Sequence, residues 1–510
     1  MPSQSPRRDC WTTVAGAGFN SLLMRRHLLQ QVSWIVAGAT MPSSLAIAAQ
    51  YTPSGSVVQS VSPVMTKLST YMSEARDKNL PEEVIERAKQ HILDTLAAMV
   101  SGSELAPGRA AIRFAREYGG KKVATVIASD ILCGPIEAAM ANAELAHSDE
   151  TDDYDPRGAG HPGCAVVPAA LALAEQFGTS GTHFLRAVVL GYEVGLRVSN
   201  FVGTGSSVKD THVMFGTFGA AAAGGCIAAL STRQMRWLLD YASQQSASGT
   251  PAWRRDTEHI EKGFVFAGAG ARNGVTAALL VHSGWTGLED IFSGSDNFLQ
   301  SYAPQADPSS LTEKLGERFE VFQVNIKKWS VGGPIQPVLD ALENILAKNH
   351  FDPEKVQKVV VRLATAGAAT VSNREMPDIC LQHLVAVMLI DKTVSFRAAH
   401  DKERMQDPAI LGLRAKIEVK PDEEFQRLNP RRVAVVEVTL NDGTLLTNRV
   451  EAVRGTVENP MTTKEVSAKA RELMAPVLGR QPCDALIKKI VSLESQENMR
   501  GLRPMLIVSA

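Results

Sequence analysis

Between His147 and His161 the chain places five carboxylates, Asp149, Glu150, Asp152, Asp153 and Asp155, in a loop-like stretch that leads straight into the apolar segment Ala165 to Ala174. Carboxylates this close repel one another, so a fold keeps them together only where something offsets the charge. A lysine, a metal or a proton-transfer role would do so; a solvated acidic loop before a helix is the plainer alternative. The two flanking histidines favour the first setting, and we read the run as one wall of an active site.

At 510 residues the chain exceeds one ordinary hydrophobic core, and two or three domains are expected. Its 45% hydrophobic and 21% charged residues belong to the soluble globular class. A net charge of -1, with no basic run interleaved with aromatics, argues against nucleic acid or an anionic membrane surface as a partner. The six cysteines are scattered without paired spacing, which points to neither a zinc module nor a disulfide scaffold. Cys164, three residues after His161, is the one placed where a catalytic thiol would compete with a packing role.

Near the N-terminus Met24-Arg25-Arg26 precedes the apolar stretch Val32 to Ala39 and the small-x-small triplet Ala46-Ile47-Ala48. This has the form of a twin-arginine export signal, with residues 1–50 as leader and Met24 as an alternative start; a chance Arg-Arg pair in a disordered tail is the other reading. Gly38 and Pro42 interrupt the apolar part, so no stable membrane span is expected.

From about Ser62 to Gly287 the pattern is helical. Pro81-Glu82-Glu83 opens a helix with acids in its first turn, continuing to Gly102. Further helices are predicted over 135–147, 165–177, 181–197, 216–230, 233–246 and 268–283. The glycine- and alanine-rich runs at 219–226 and 268–274 suit close helix packing; neither follows a strand, so a phosphate cradle is discounted. Beyond Phe319 the character changes: strands are predicted at 359–363, 415–420, 433–440 and 444–450, the last two joined through Asn441-Asp442-Gly443. Helices at 337–348, 379–390 and 462–475 accompany them. The expected fold is mainly α with a second, α/β domain over 321–459 packed on a helical domain over 62–320. A cleft between them is the expected place for a substrate.

Four segments carry the chemistry: the acidic loop; Asp210-Thr-His212 at a helix entry; Glu261-Lys262-Gly-Phe leading to Gly268; and Asn325-Ile-Lys327-Lys328-Trp-Ser-Val-Gly-Gly-Pro-Ile-Gln336. In this order they resemble the MmgE/PrpD family, whose members include 2-methylcitrate dehydratase, cis-aconitate decarboxylase and iminodisuccinate epimerase. Supporting matches are His161-Pro-Gly-Cys-Ala-Val-Val-Pro168, Leu190-Gly-Tyr-Glu-Val-Gly195, the Asp442-Gly443 hairpin and Gly455-Thr-Val-Glu-Asn-Pro-Met-Thr462, spread over residues 63–480.

The resemblance implies that 460–510 complete the helical domain and that the α/β domain is an inserted lid, in a homodimer without organic cofactor or metal that acts on a di- or tricarboxylate. It implies catalytic roles for Asp152, Asp153, His161, His212, Lys262 and Lys327, with Glu150, Tyr154, Lys328 and Gln336 as substrate contacts. Those residue types suit proton removal next to a carboxylate: lysines stabilise the enediolate-like charge, and an imidazole moves the proton. Of the adjacent Lys327 and Lys328, the first is expected to face the site. His147, at the end of an apolar helix, suits a core histidine.

The chain departs from the family where dehydratases and the decarboxylase carry a histidine after the lysine; here the segment reads Trp329 to Gln336. Glu150 and Tyr154 stand where relatives often have aspartate and threonine. The leading expectation is a 2-methylcitrate dehydratase-like hydro-lyase, with an epimerase, isomerase or decarboxylase on the same scaffold as alternatives. Metal catalysis through His147, Asp149, Asp153 and His161, or an exported protein that only binds an acid, are readings of other classes. The expected geometry sets an imidazole flanked by acids on one side of the crevice against ammonium groups on the other.

Overall fold

A computed structural model describes residues 60–158, 160–203, 209–246 and 249–508. The leader with Arg25-Arg26 lies outside them. Two helices hold the acidic loop: Pro135–Ala146 ends at His147, and Pro162–Phe177 begins immediately after His161. Both open on proline, whose missing N–H is not needed in a first helical turn. Around them stand Glu82–Gly102, Gly181–Val202, His212–Ile227 and the long helix Ile260–His282.

Small residues set how closely these helices pack. A Cβ on Gly270 would lie 2.9 Å from the backbone of Gly216, and one on Gly274 would lie 2.5 Å from Ala220 Cβ and Ala221 N. The glycine runs are therefore contact surfaces between His212–Ile227 and Ile260–His282. Two helices also start earlier than the apolar pattern predicts, at His212 instead of 216 and at Ile260 instead of 268. In the second, Gly263 and Gly268 interrupt the sequence signal because they lie against Glu144, where a Cβ on Gly263 would sit 2.5 Å from Oε1. A π-helical turn, Phe264–Gly268, interrupts the same helix. Ile260–His282 is apolar and long enough to cross a membrane, but 67% of its apolar window is buried inside the protein, as in a core helix.

The later part carries a four-stranded mixed sheet in the order Ile417–Asp422, Val356–Ala364, Ala434–Leu440, Leu445–Val450. The first pair is parallel, with Val359 opposite Ile417, and the others antiparallel. Gly443, at φ 85°, takes the left-handed position of the hairpin turn. One face, with Val359, Val361, Val436 and Val438, is buried, and Gln336–Lys348 packs against it.

Two large apolar cores result, beside a small cluster of Phe425, Val433 and Val435. One runs from Met65 to Ile326 and resumes from Met461 to Leu506, because Thr463–Leu478 packs on Glu82–Gly102. The other spans Trp329 to Val453. Residues 60–510 nevertheless cluster as one compact unit, so the boundary expected near 321 is a change of core at 326–329 within a single body. Lys327 sits at that crossing.

Gly274→Val should lower unfolding free energy by about 2–3 kcal/mol, because the added methyls meet backbone on the facing helix. Gly412→Ala, where an added Cβ meets nothing within 4 Å, should be neutral or stabilising by about 0.5–1 kcal/mol. Urea or thermal unfolding of the two variants measures this contrast.

Candidate active site

All five loop carboxylates are buried, the most exposed being Glu150 at 8%, which removes the solvated-loop alternative. Each has its own partner. Asp149 Oδ2 lies 2.8 Å from His400 Nε2. Glu150 bridges the ammonium groups of Lys262 and Lys327, while its peptide carbonyl accepts a hydrogen bond from Lys327 Nζ at 2.7 Å. Asp152 lies between His147 Nδ1 at 3.0 Å and His161 Nδ1 at 3.1 Å, with Lys327 Nζ 3.6 Å away. Asp153 accepts from Tyr192 Oη at 2.6 Å and Gly163 N at 2.9 Å and meets His91 Nδ1 at 2.7 Å. Asp155 holds Arg157 and accepts from Asn200.

The remaining chain clamps this loop from outside. Tyr154 and Asn325 exchange backbone hydrogen bonds, two residues from Lys327. Lys469, from the C-terminal helix, reaches both Asp94 Oδ1 at 2.7 Å and the Thr151 carbonyl at 3.0 Å.

Burial would raise Asp152, but the two imidazoles and the Lys327 ammonium hold it well below the usual carboxylate range. Burial likewise works against Glu150, and Lys262 and Lys327 bring it well below its usual value. Burial pushes His147 down to about 4 against the pull of Asp152, so at neutral pH its ring is uncharged and donates Nδ1–H to Asp152. His161 differs in lining a cavity of about 840 Å³. Asp152 occupies its Nδ1, leaving Nε2 as the ring atom available to a ligand.

Phe266, in the π-helical turn, gathers three histidines: His212 stacks on it with centroids 3.9 Å apart, His147 at 5.0 Å, and His161 meets it edge-on at 5.6 Å. The close approach of the two glycine-bearing helices brings His212 and Phe266 together. His212 Nδ1 and backbone N both engage Asp210, which is braced in turn by Trp253 Nε1 at 2.7 Å.

The structure brings His161, Lys327, Glu150 and Tyr154 together on the cavity wall. Lys262 joins through Glu150, and Asp152 and His212 lie immediately behind. Three expected site residues are elsewhere. Asp153 faces the interior, both oxygens taken by His91, Tyr192 and Gly163, so it supports the loop without reaching a ligand. Lys328 turns away to pair with Glu343. Gln336 closes the turn ahead of it, donating to the carbonyls of Trp329 and Val331 and accepting from Trp329 N, which leaves it nothing for a substrate. The two-sided charge arrangement is also corrected: the lysines interleave with the acids on one wall.

Several contributors were not legible. His147, expected as a core histidine, is a member of the cluster; His91 and His400 are supplied by distant helices, and Tyr192 by the Leu190-Gly-Tyr-Glu-Val-Gly195 segment, where no site role was expected. Arg432, from the α/β part, also lines the cavity, beside Tyr154. Cys164 is buried, burial pushes its thiol well above the usual range, and its Sγ lies 3.1 Å from the His161 carbonyl, as in a packing role. The four ligands imagined for a metal do not converge, because Asp149 and Asp153 serve His400 and His91. His147, Asp152 and His161 do, with ligand atoms within 4.8 Å of one another. A cation placed there would meet the Lys327 ammonium, which already neutralises Asp152.

Two family models match the chain: the MmgE/PrpD N-terminal domain over residues 66–311 and the MmgE/PrpD C-terminal domain over 329–494. Cis-aconitate decarboxylase from Aspergillus terreus is 25% identical over 448 residues, covering 82% of this chain and 90% of that protein. The Homo sapiens cis-aconitate decarboxylase is 27% identical over 455 residues, 84% of this chain and 91% of that protein. The Mus musculus protein of that name is 26% identical over 465 residues, covering 84% and 90%.

The His400–Asp149 contact ties the acidic loop to the α/β part and predicts a pH dependence. His400 Nδ1 donates to the Phe396 carbonyl, so Nε2 can meet Asp149 as N–H only in the charged ring. Burial opposes that charge, but Asp149 raises the ring to about 9. A folded value above the unfolded 6.5 gives stability fully present below that pH and lost as pH rises through about 9. The stability difference between wild type and His400→Gln should shrink by about 2–3 kcal/mol from about pH 6 to about pH 10. Parallel urea-unfolding curves at the two ends would contradict the pairing.

Proposed function

Because the chain belongs to the MmgE/PrpD family, we propose that it is a cofactor-independent lyase acting on a di- or tricarboxylate through a carbanion formed beside a carboxylate. The observation that carries this reading is His161, fixed through Nδ1 on an ionised Asp152 and lining the cavity beside Lys327. Decarboxylation is better supported than the dehydration of the first expectation. The matching relatives bear the name cis-aconitate decarboxylase. A dehydration also requires one group to take the carbon-bound proton and another to protonate the leaving hydroxyl. His161 is the single imidazole lining the cavity among the described residues, which suits the one proton delivery of a decarboxylation; the histidine missing from Trp329 to Gln336 is common to dehydratases and the decarboxylase and does not separate them.

In the proposed reaction the carbon–carbon bond to one carboxylate breaks and carbon dioxide leaves. The bond's electron pair passes into the adjacent unsaturated acid as an enediolate-like anion. Lys327 stabilises that charge, and Nε2 of the protonated His161 delivers a proton to carbon. His147, neutral and bonded to the same carboxylate, holds Asp152 in place. Export through the Arg25-Arg26 leader belongs to the same proposal, as does a homodimer, for which the apolar groove at Phe114, Met140, Ile260 and Phe264 is the favoured face. Fractionation of cells and light scattering test these two.

Incubation with cis-aconitate and a panel of hydroxylated polycarboxylates, followed by mass-resolved detection, should show loss of carbon dioxide. His161→Gln should reduce kcat by about 10²–10⁴-fold, and Lys262→Ala should also be impaired. Loss of water instead would return the dehydratase, and solvent deuterium uptake with neither loss would indicate an epimerase. Full activity in His161→Gln would refute the site, and thermal stabilisation by the acids without any product would make the protein a binder.

A further inference from the structure

We propose that Arg432 is a carboxylate anchor for the substrate, presented by the α/β part in the cavity that His161 also lines. The inference rests on the polycarboxylate reading and deepens it.

The other cations at the cavity are already paired. Lys262 and Lys327 face Glu150 and Asp152, two cations against two anions, and Arg157 is held by Asp155 and Glu320. A polyanion entering there meets a wall close to neutral. Arg432 is the one cation lining the cavity that has no carboxylate partner among the described residues. Its Nε donates to Tyr154 Oη at 3.2 Å, and its guanidinium carbon stands 5.3 Å from the Tyr154 ring centroid. Both Nη groups make no hydrogen bond to the described residues, leaving one edge of the guanidinium for a carboxylate in the paired geometry that arginine favours.

The surroundings hold this side chain in place. It is half-buried, immediately ahead of the strand Ala434–Leu440. It lies against Gly333, where an added Cβ would stand 3.2 Å from its guanidinium carbon. Tyr154 connects it to the chemistry, since the same ring lies 6.3 Å from the His161 ring and 5.6 Å from Lys327 Nζ. One carboxylate held at Arg432 and another near Lys327 would leave the carbon between them beside His161. Arg432 is thus a binding and specificity residue, and proton transfer stays with His161.

Calorimetric titration with tricarballylate, a saturated tricarboxylate, and turnover of cis-aconitate test the assignment on the full chain. Arg432→Gln should raise the tricarballylate Kd and the cis-aconitate KM about 10- to 100-fold, with a much smaller effect on kcat. Arg432→Lys should fall between it and wild type, because it keeps the charge and loses the fork; it also decides the matter if the glutamine variant does not fold. Arg431→Gln, which alters an exposed neighbour paired with Glu451, should match wild type. Unchanged Kd and KM in both Arg432 variants, or a loss confined to kcat, would overturn the anchor while leaving the polycarboxylate reading intact. Wild type that neither binds tricarballylate nor turns over cis-aconitate would overturn both.

Discussion

Burying five carboxylates in one short loop would be prohibitive if each were left uncompensated, and their neutralisation is what the rest of the structure is arranged around. The compensating groups come from every part of the chain. His91 and Tyr192 lie on two body helices, Lys262 on a third, Lys327 at the crossing between the cores, His400 in the α/β part and Lys469 near the C-terminus. The loop therefore adopts this shape only once the whole fold is assembled. Removing one partner would leave a buried anion unpaired, which is far more damaging than losing a surface ion pair.

The same compensation sorts the carboxylates by task. Asp153 and Asp155 are fully occupied inward and act as struts. Asp149 ties the loop to the α/β part. Glu150 and Asp152 are shared between lysines and imidazoles at the cavity, where an entering anion can compete for the ammonium groups. A site of this kind is held at fixed geometry before a substrate arrives, as electrostatic stabilisation of a developing carbanion requires. Helix packing contributes through the glycine contacts that bring Phe266 beneath three imidazoles.

The order of helices and strands was readable because apolar period and turn chemistry are local. The hairpin at Asp442-Gly443 and the helix from Glu82 follow from a few adjacent residues. Boundaries failed where glycine served packing: Gly263 and Gly268 weaken the helical pattern at 260–268, yet a Cβ there would collide with Glu144 or crowd it. Among the expected site residues, His161, Lys327 and Glu150 come from separate motifs and line one cavity. Lys328 and Gln336 were misassigned because adjacent residues in a turn face different ways, and only the placement of Glu343 and of the Trp329 and Val331 carbonyls decides which.

The sequence alone determined the fold class, the family and the presence of an unusually acidic segment between two histidines, since each depends on residue type and order along the chain. Which acid pairs with which base was decided by tertiary structure, as was which lysine faces the cavity. The placement of Arg432 in the cavity lining also depends on it. Those assignments rest on distances between residues hundreds of positions apart, and electrostatic interaction in a low-dielectric interior depends on separation in space, not on separation in sequence.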